Sequence, residues 1–236
     1  MRYSTLLFDL DHTLLDSATS ERLAFAHTMQ QAGVADPDEH FADYVAINRR
    51  LWLAVERNEL RPDDVKVLRF RELLAATHIE ADEAVLAETY VAALGAYGEL
   101  YPGTRAVLEA LKPRVAMGLI TNGIGRVQRT RIRRLGLEEY FDAVAISGEL
   151  GVAKPGIEIF AHTFGELGFP ARDSTLIVGD SLSSDIQGGR NFGIATCWFL
   201  YFGGLGVFFP YYSLYLRENA GLSGTEVGLV MATVPL

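Results

Sequence analysis

A chain of 236 residues, 49% hydrophobic and 22% charged, has the length and balance of a globular protein with a real core, in one large or two small domains. Its net charge of -9 argues against broad binding to nucleic acid or an anionic membrane, so an anionic substrate needs local compensation by a metal or a particular Lys or Arg. The single cysteine, Cys197, excludes an internal disulfide, and Met1 to Ser4 lead straight into a strand pattern rather than a signal peptide, which together fit the cytoplasm.

The first element is the apolar run Leu6-Leu7-Phe8, which ends in Asp9 and Asp11, followed by Thr13. Residues i and i+2 of a strand share a side. Both carboxylates are therefore expected at the carboxyl end of a buried strand, where parallel α/β sheets bind ligands. Two like charges there are costly unless a cation or a reaction uses them, although such a pair alone reads equally as an Asp-rich turn. From Asp16 to about Tyr97 the pattern is helical. Ser20 is expected to cap a first helix that stops at Gly33. Asp36-Pro37-Asp38 breaks the chain before a second helix, Arg61-Pro62-Asp63-Asp64 opens a third, and a fourth runs from about Asp82 to Ala96. Four amphipathic helices with no strand between them predict a helical bundle over residues 17–97, inserted after the first strand.

Beyond Tyr101-Pro102-Gly103 the rhythm changes to helix and strand in alternation. Helices are expected at 104–111, 125–135, 157–167 and 183–192, and strands at 115–121, 143–147, 174–179 and 194–198. Alternation at this length predicts βαβ units. The fold class is α/β: a doubly wound parallel sheet built by residues 1–16 and 98–199, carrying the inserted helical bundle.

Three of these strands end in polar residues. Thr121-Asn122-Gly123 precedes a helix N-terminus, which favours anions. Lys154-Pro155-Gly156 sets a cation in a rigid turn, and Gly179-Asp180-Ser181-Leu182-Ser183-Ser184-Asp185 adds two carboxylates. Each alone reads equally as a helix cap, a turn or a solvated charge. Together with Asp9 to Thr13 they resemble the four ordered motifs of the haloacid dehalogenase superfamily: DxDxT, Ser or Thr, Lys, and GDxxxxD. The resemblance covers about Tyr3 to Trp198. Asp11-His12-Thr13, Ile47-Asn48-Arg49-Arg50-Leu51-Trp52, Thr121-Asn122-Gly123 and Gly179 to Ile186 are similar to the pyrimidine 5'-nucleotidase branch.

The resemblance implies a Mg²⁺-dependent phosphatase acting on a small phosphate monoester such as a nucleoside 5'-monophosphate. Asp9 is then the nucleophile that forms an aspartyl-phosphate. Asp9, the backbone carbonyl of Asp11 and Asp180 hold Mg²⁺. Thr121, Asn122 and Lys154 bind the phosphoryl group, and Asp185 orients Lys154 or a metal-bound water. Asp11 protonates the leaving oxygen and later deprotonates water. A halide leaves without a proton, so Asp11 favours a phosphatase over a dehalogenase, while a sugar phosphatase or phosphomutase stays open as an alternative. His12 stands where many members have glycine, which fits a turn residue at positive φ without a catalytic role. In the helical insert Asn48, Arg49, Trp52 and Arg57 are candidate substrate contacts, and periodicity does not say which of them face the cleft.

The end of the chain departs from that pattern. No charged residue lies between Arg190 and Arg217, and Trp198 to Leu216 is long enough for a membrane span, which needs about 20 residues. Residues Tyr201 to Leu236 resemble the opening of a major facilitator superfamily transporter, with Gly206-Val207-Phe208-Phe209-Pro210 in a first span. The expectation is a junction near Trp198 or Leu200, with 200–236 as a hydrophobic tail that either covers the sheet edge or makes contact with a membrane. The rival from another class is a non-catalytic, membrane-associated fusion fragment.

Overall fold

In the computed structural model, which describes residues 2–199, five parallel strands form one sheet in the order β3-β2-β1-β4-β5. They are β1 (Thr5–Phe8), β2 (Ala116–Thr121), β3 (Ala143–Ile146), β4 (Thr175–Gly179) and β5 (Ala195–Trp198). Alternation along β1 decides what each face buries. Leu6 and Phe8 turn to one side and join Met117, Leu119, Ile132 and Ile146. Leu7 turns to the other, with Ile120, Ile159, Phe160 and Ile177. Strands buried on both faces need apolar residues at every position, and each fully buried Leu, Ile or Phe contributes about 1.5–3 kcal/mol. Gly118 sits where no side chain fits, since a Cβ there would lie 2.8 Å from Leu7 Cδ2.

Between β1 and β2 the chain makes α1 (Ser17–Gln31), α2 (Asp38–Glu56), α3 (Pro62–Thr77), α4 (Glu83–Ala96) and α5 (Thr104–Leu111). The first four pack around Phe25, Tyr44, Phe70 and Tyr90, whose rings meet at centroid distances such as 4.7 Å for Phe25 and Tyr44. After β2 come α6 (Gly125–Arg134), a short α7 (Ser147–Leu150), α8 (Ile157–Glu166) and α9 (Gln187–Phe192).

Several local expectations are corrected. The cap of α1 is Asp16, whose carboxylate accepts from Thr19 N at 3.1 Å, and not Ser20. Ser20 is fully buried one turn in, where it donates to Tyr97 O at 2.9 Å and accepts from Arg131 Nη2 at 2.8 Å. The helix ends at Gln31, and Gly33 takes the expected positive φ just beyond it. The single helix expected over 183–192 is a π-turn, Leu182–Ile186, followed by α9. Nothing in the sequence pattern signalled α7.

Strand β5 pairs with β4 in register up to Gly179 and Trp198, so the sheet continues to the place where the junction is expected. The transporter-like tail and its membrane contact lie outside the described residues. Among those residues no helix is long and apolar enough to cross a membrane.

Candidate active site

The carboxyl ends of β1, β2 and β4 meet beneath the helical insert, and the polar residues that follow them converge. Asp9 comes one residue after β1, held by its own N–H to Val178 O at 3.0 Å. Lys154, from the loop before α8, is 1% exposed and donates to Asp9 Oδ1 and Asp185 Oδ1, both at 2.6 Å, and to Ile120 O at 2.8 Å. All three N–H donors of the ammonium are thereby used. Thr13 Oγ1 donates to Asp9 Oδ2 at 3.3 Å, and Ser181 N to Asp185 Oδ2 at 3.0 Å.

Burial pushes the Asp9 carboxyl well above the ordinary carboxylate range, Lys154 pulls it back, and Asp185, Asp11 and Asp180 push it up again. Burial opposes the charge on Lys154, yet Asp185 and Asp9 outweigh it and hold the ammonium above its ordinary value. Asp180, half-buried, is pushed up to about 6, chiefly by burial. Carboxylate oxygens of Asp9, Asp180 and Asp185 lie within 4.8 Å of one another. Clustered carboxylates that burial and mutual repulsion strain are the donor set a hard divalent cation such as Mg²⁺ fits.

Asp11 does not share the environment of Asp9, because β1 ends at Phe8 and the alternation expected from the sequence stops there. Arg131 Nη1 donates to Asp11 Oδ1 at 2.8 Å, Ser17 Oγ to the same oxygen at 2.6 Å, and Gln128 Nε2 to Oδ2 at 2.6 Å. Burial alone would raise this carboxyl, but the Arg131 guanidinium and the Ser17 hydroxyl together hold it below the usual range. Gln128 Nε2 also donates to Thr121 Oγ1 at 2.7 Å, so Thr121 is fully buried beneath it. Asn122 braces the Lys154 loop, its amide donating to Lys154 O and accepting from Lys154 N, each at 2.9 Å. His12 has φ +59°, a turn residue as expected.

Apart from the buried Thr13 and Thr121, these side chains open into one cleft of about 610 Å³ whose far wall belongs to the inserted helices. Of the expected contacts in the insert, Asn48, Arg49 and Trp52 line it, while Arg57 lies outside it, paired with Glu59 at 2.8 Å. Glu56, raised by burial, also faces the cleft, as do Glu21 and Arg69. The sequence reading missed Gln128 and Arg131. They lie one turn apart on a helix with five arginines, and a basic helix reads as a solvated face until tertiary structure buries one of its residues.

Residues 3–193 match the family model described as haloacid dehalogenase-like hydrolase, and residues 192–236 that of the MFS_1 like family. The chain is 35% identical over 200 residues to the pyrimidine 5'-nucleotidase YjjG of Escherichia coli, covering 84% of this chain and 86% of that protein. It is 36% identical over 200 residues to the pyrimidine 5'-nucleotidase PynA of Streptococcus pneumoniae, covering 84% of each. Among solved structures, the HAD-hydrolase YfnB of Bacillus subtilis superposes with a TM-score of 0.79 at 35% identity, over 84% of this chain and 89% of that one. That structure is described as bound to magnesium and as revealing interdomain movement.

Proposed function

Because the chain belongs to the haloacid dehalogenase-like hydrolase family, we propose that it is a phosphatase that hydrolyses nucleoside 5'-monophosphates through an aspartyl-phosphate. The observation that carries this reading is the buried Asp9–Lys154–Asp185 network with a second, separately held carboxylate, Asp11, on the same cleft. The similarity to two pyrimidine 5'-nucleotidases supports the nucleotide as substrate. Residues 1–16 and 98–199 form the catalytic core in this reading, and residues 17–97 the cap over it.

Asp9 attacks phosphorus, a new carboxylate–phosphorus bond forms, and the bond from phosphorus to the leaving oxygen breaks. Lys154 offsets the repulsion between the carboxylate cluster and an anionic phosphate. Asp9 and Asp180, with the backbone carbonyl of Asp11, would hold Mg²⁺, and Asp185 lies close enough to join or orient that set. When bound, the cation supplies charge neutralisation at the phosphoryl oxygens. Thr121 and Lys154 bind those oxygens as the ester displaces their present partners, Gln128 Nε2 on Thr121 Oγ1 and Asp9 Oδ1 on Lys154 Nζ, while Asn122 fixes the Lys154 loop. Asp11 gives a proton to the leaving oxygen. Arg131 favours the carboxylate form of Asp11, and an anionic phosphate arriving beside it works the other way, since like charge raises a carboxyl pKa. Water then attacks the acyl phosphate at phosphorus, the bond from phosphorus to the Asp9 oxygen breaks to restore the carboxylate, and Asp11 takes the proton of the water, the direction that Arg131 favours. An ester leaving group needs this acid, whereas a halide does not.

Phosphate release from a panel of nucleoside 5'-monophosphates, with and without Mg²⁺, tests the reading. The wild-type chain is expected to release phosphate only with Mg²⁺, and Asp9→Asn to lose roughly 10³-fold or more of that rate, as removal of a nucleophile does. A folded wild-type protein inert toward every phosphate monoester would overturn it.

A further inference from the structure

Two buried polar side-chain atoms have no hydrogen-bond partner among the described residues, Arg69 Nη2 and Asn48 Oδ1, and both residues line the cleft that holds Asp9. Orphaned buried groups are rare because each forfeits its hydration without replacement. Arg69 on α3 is 1% exposed. Its Nε donates to Val65 O and its Nη1 to Tyr44 OH, both at 3.1 Å, and the guanidinium lies over the Tyr90 ring at 5.1 Å. Nη2 is the nitrogen of the three that has no partner among the described residues. Asn48 on α2 gives its Nδ2 to Glu21 Oε1, which also accepts from Tyr44 OH at 3.3 Å. That bond fixes the amide, since a flip would set Asn48 Oδ1 against a carboxylate oxygen.

Residues of the cleft wall thus hold one donor and one acceptor, both enclosed and both unmet. A phosphate does not answer this pair, because the Asn48 carbonyl repels it and Glu21 offsets the Arg69 charge. A neutral planar ring with an acceptor next to an N–H answers both, and the Trp52 and Phe41 side chains supply apolar surface for such a ring. We propose that Arg69 and Asn48 form a subsite that reads the amide edge of the substrate's base. Arg69 Nη2 donates to a ring carbonyl, and Asn48 Oδ1 accepts from the adjacent ring N–H. This rests on the nucleotide reading above and extends it to selectivity. A phosphate ester without a base leaves both groups unpaired, which is how polar sites reject analogues.

The experiment compares kcat/KM for uridine 5'-monophosphate, its N3-methyl derivative and ribose 5-phosphate in wild type, Asn48→Ala and Arg69→Lys. Wild type is expected to prefer the nucleotide to ribose 5-phosphate and to discriminate against N3-methylation. Asn48→Ala is expected to shrink both preferences by roughly tenfold or more, mainly through KM. Arg69→Lys, which keeps the charge should a larger change unfold the insert, is expected to shrink the first. A wild type that hydrolyses the nucleotide well, with both ratios unchanged in folded variants, overturns the subsite alone. A wild type that turns over ribose 5-phosphate but no nucleotide overturns the nucleotide reading and the subsite together.

Discussion

Lys154 has three N–H donors, and Asp9, Asp185 and Ile120 O take all of them in a site where the side chain is 1% exposed. An isolated ammonium there would lose its proton, and the two carboxylates reverse that outcome. Glu21 shows the opposite balance. Burial raises its carboxyl above the ordinary 4.5, and Arg69 and the Tyr44 hydroxyl only partly compensate. A group whose folded pKa is raised binds its proton more tightly in the folded chain. Stability is then lost as pH climbs from the unfolded pKa through the folded one. Glu21→Gln has no such titration. Urea unfolding at pH values rising from 4.5 should show wild type losing stability relative to Glu21→Gln, then running level once the carboxyl is ionised in the folded chain as well. A difference independent of pH would assign the carboxylate fully compensated surroundings.

At the level of elements, the turn after β4 shows why its glycine is required. A Cβ on Gly179 would lie 2.3 Å from Asp185 Cγ and Oδ2, because the π-turn brings Asp185 back across the strand end. Gly179→Ala must therefore displace Asp185 from Lys154. The expected result is a loss of about 1–3 kcal/mol in urea unfolding, together with a fall in phosphate release larger than that loss of stability explains. Unchanged kinetics would show that the turn yields without moving Asp185. Helix α6 joins the core to the insert, where Arg131 reaches Asp11, Ser20 and Leu94 O, Arg126 pairs with Glu88 and Arg134 donates to Gly95 O. Helices α2 to α4 begin where the sequence places breaks and caps, with Pro62 in the first turn of α3 and Asp82 accepting from Ala84 N at 2.8 Å. Ser20 misled because a serine near a helix start is a cap only if its side chain turns back on the first turn.

Across the whole molecule, the acidic cluster is a strained part of a chain that already carries a net charge of -9. A cation that binds only the folded cluster must raise the melting temperature in proportion to RT ln(1 + [L]/Kd). Millimolar Mg²⁺ should therefore raise the Tm of the wild-type chain, chelation should reverse it, and Asp180→Asn should remove the effect. An equal Mg²⁺ response in Asp180→Asn would place the cation elsewhere. The matches to two family models adjoin at residues 192–193, and the sheet runs on to Trp198 before the hydrophobic segment begins.

Order along the chain determined a great deal by itself. Apolar runs buried on both faces have few alternatives to a parallel sheet, and Asp9, Asp11, Asp180 and Asp185 follow strand ends, Thr121 closes β2 and Lys154 lies in the loop before α8, positions that such a sheet gathers at one edge. Partners were another matter. That Asp11 pairs with Arg131 rather than standing beside Asp9, that Thr121 lies under Gln128, and that Arg69 and Asn48 each keep one atom unmet depend on helices that meet only after folding. Period and spacing say which side of its own element a residue occupies. Which group it meets depends on how elements distant in the chain pack, and only the tertiary structure decides that.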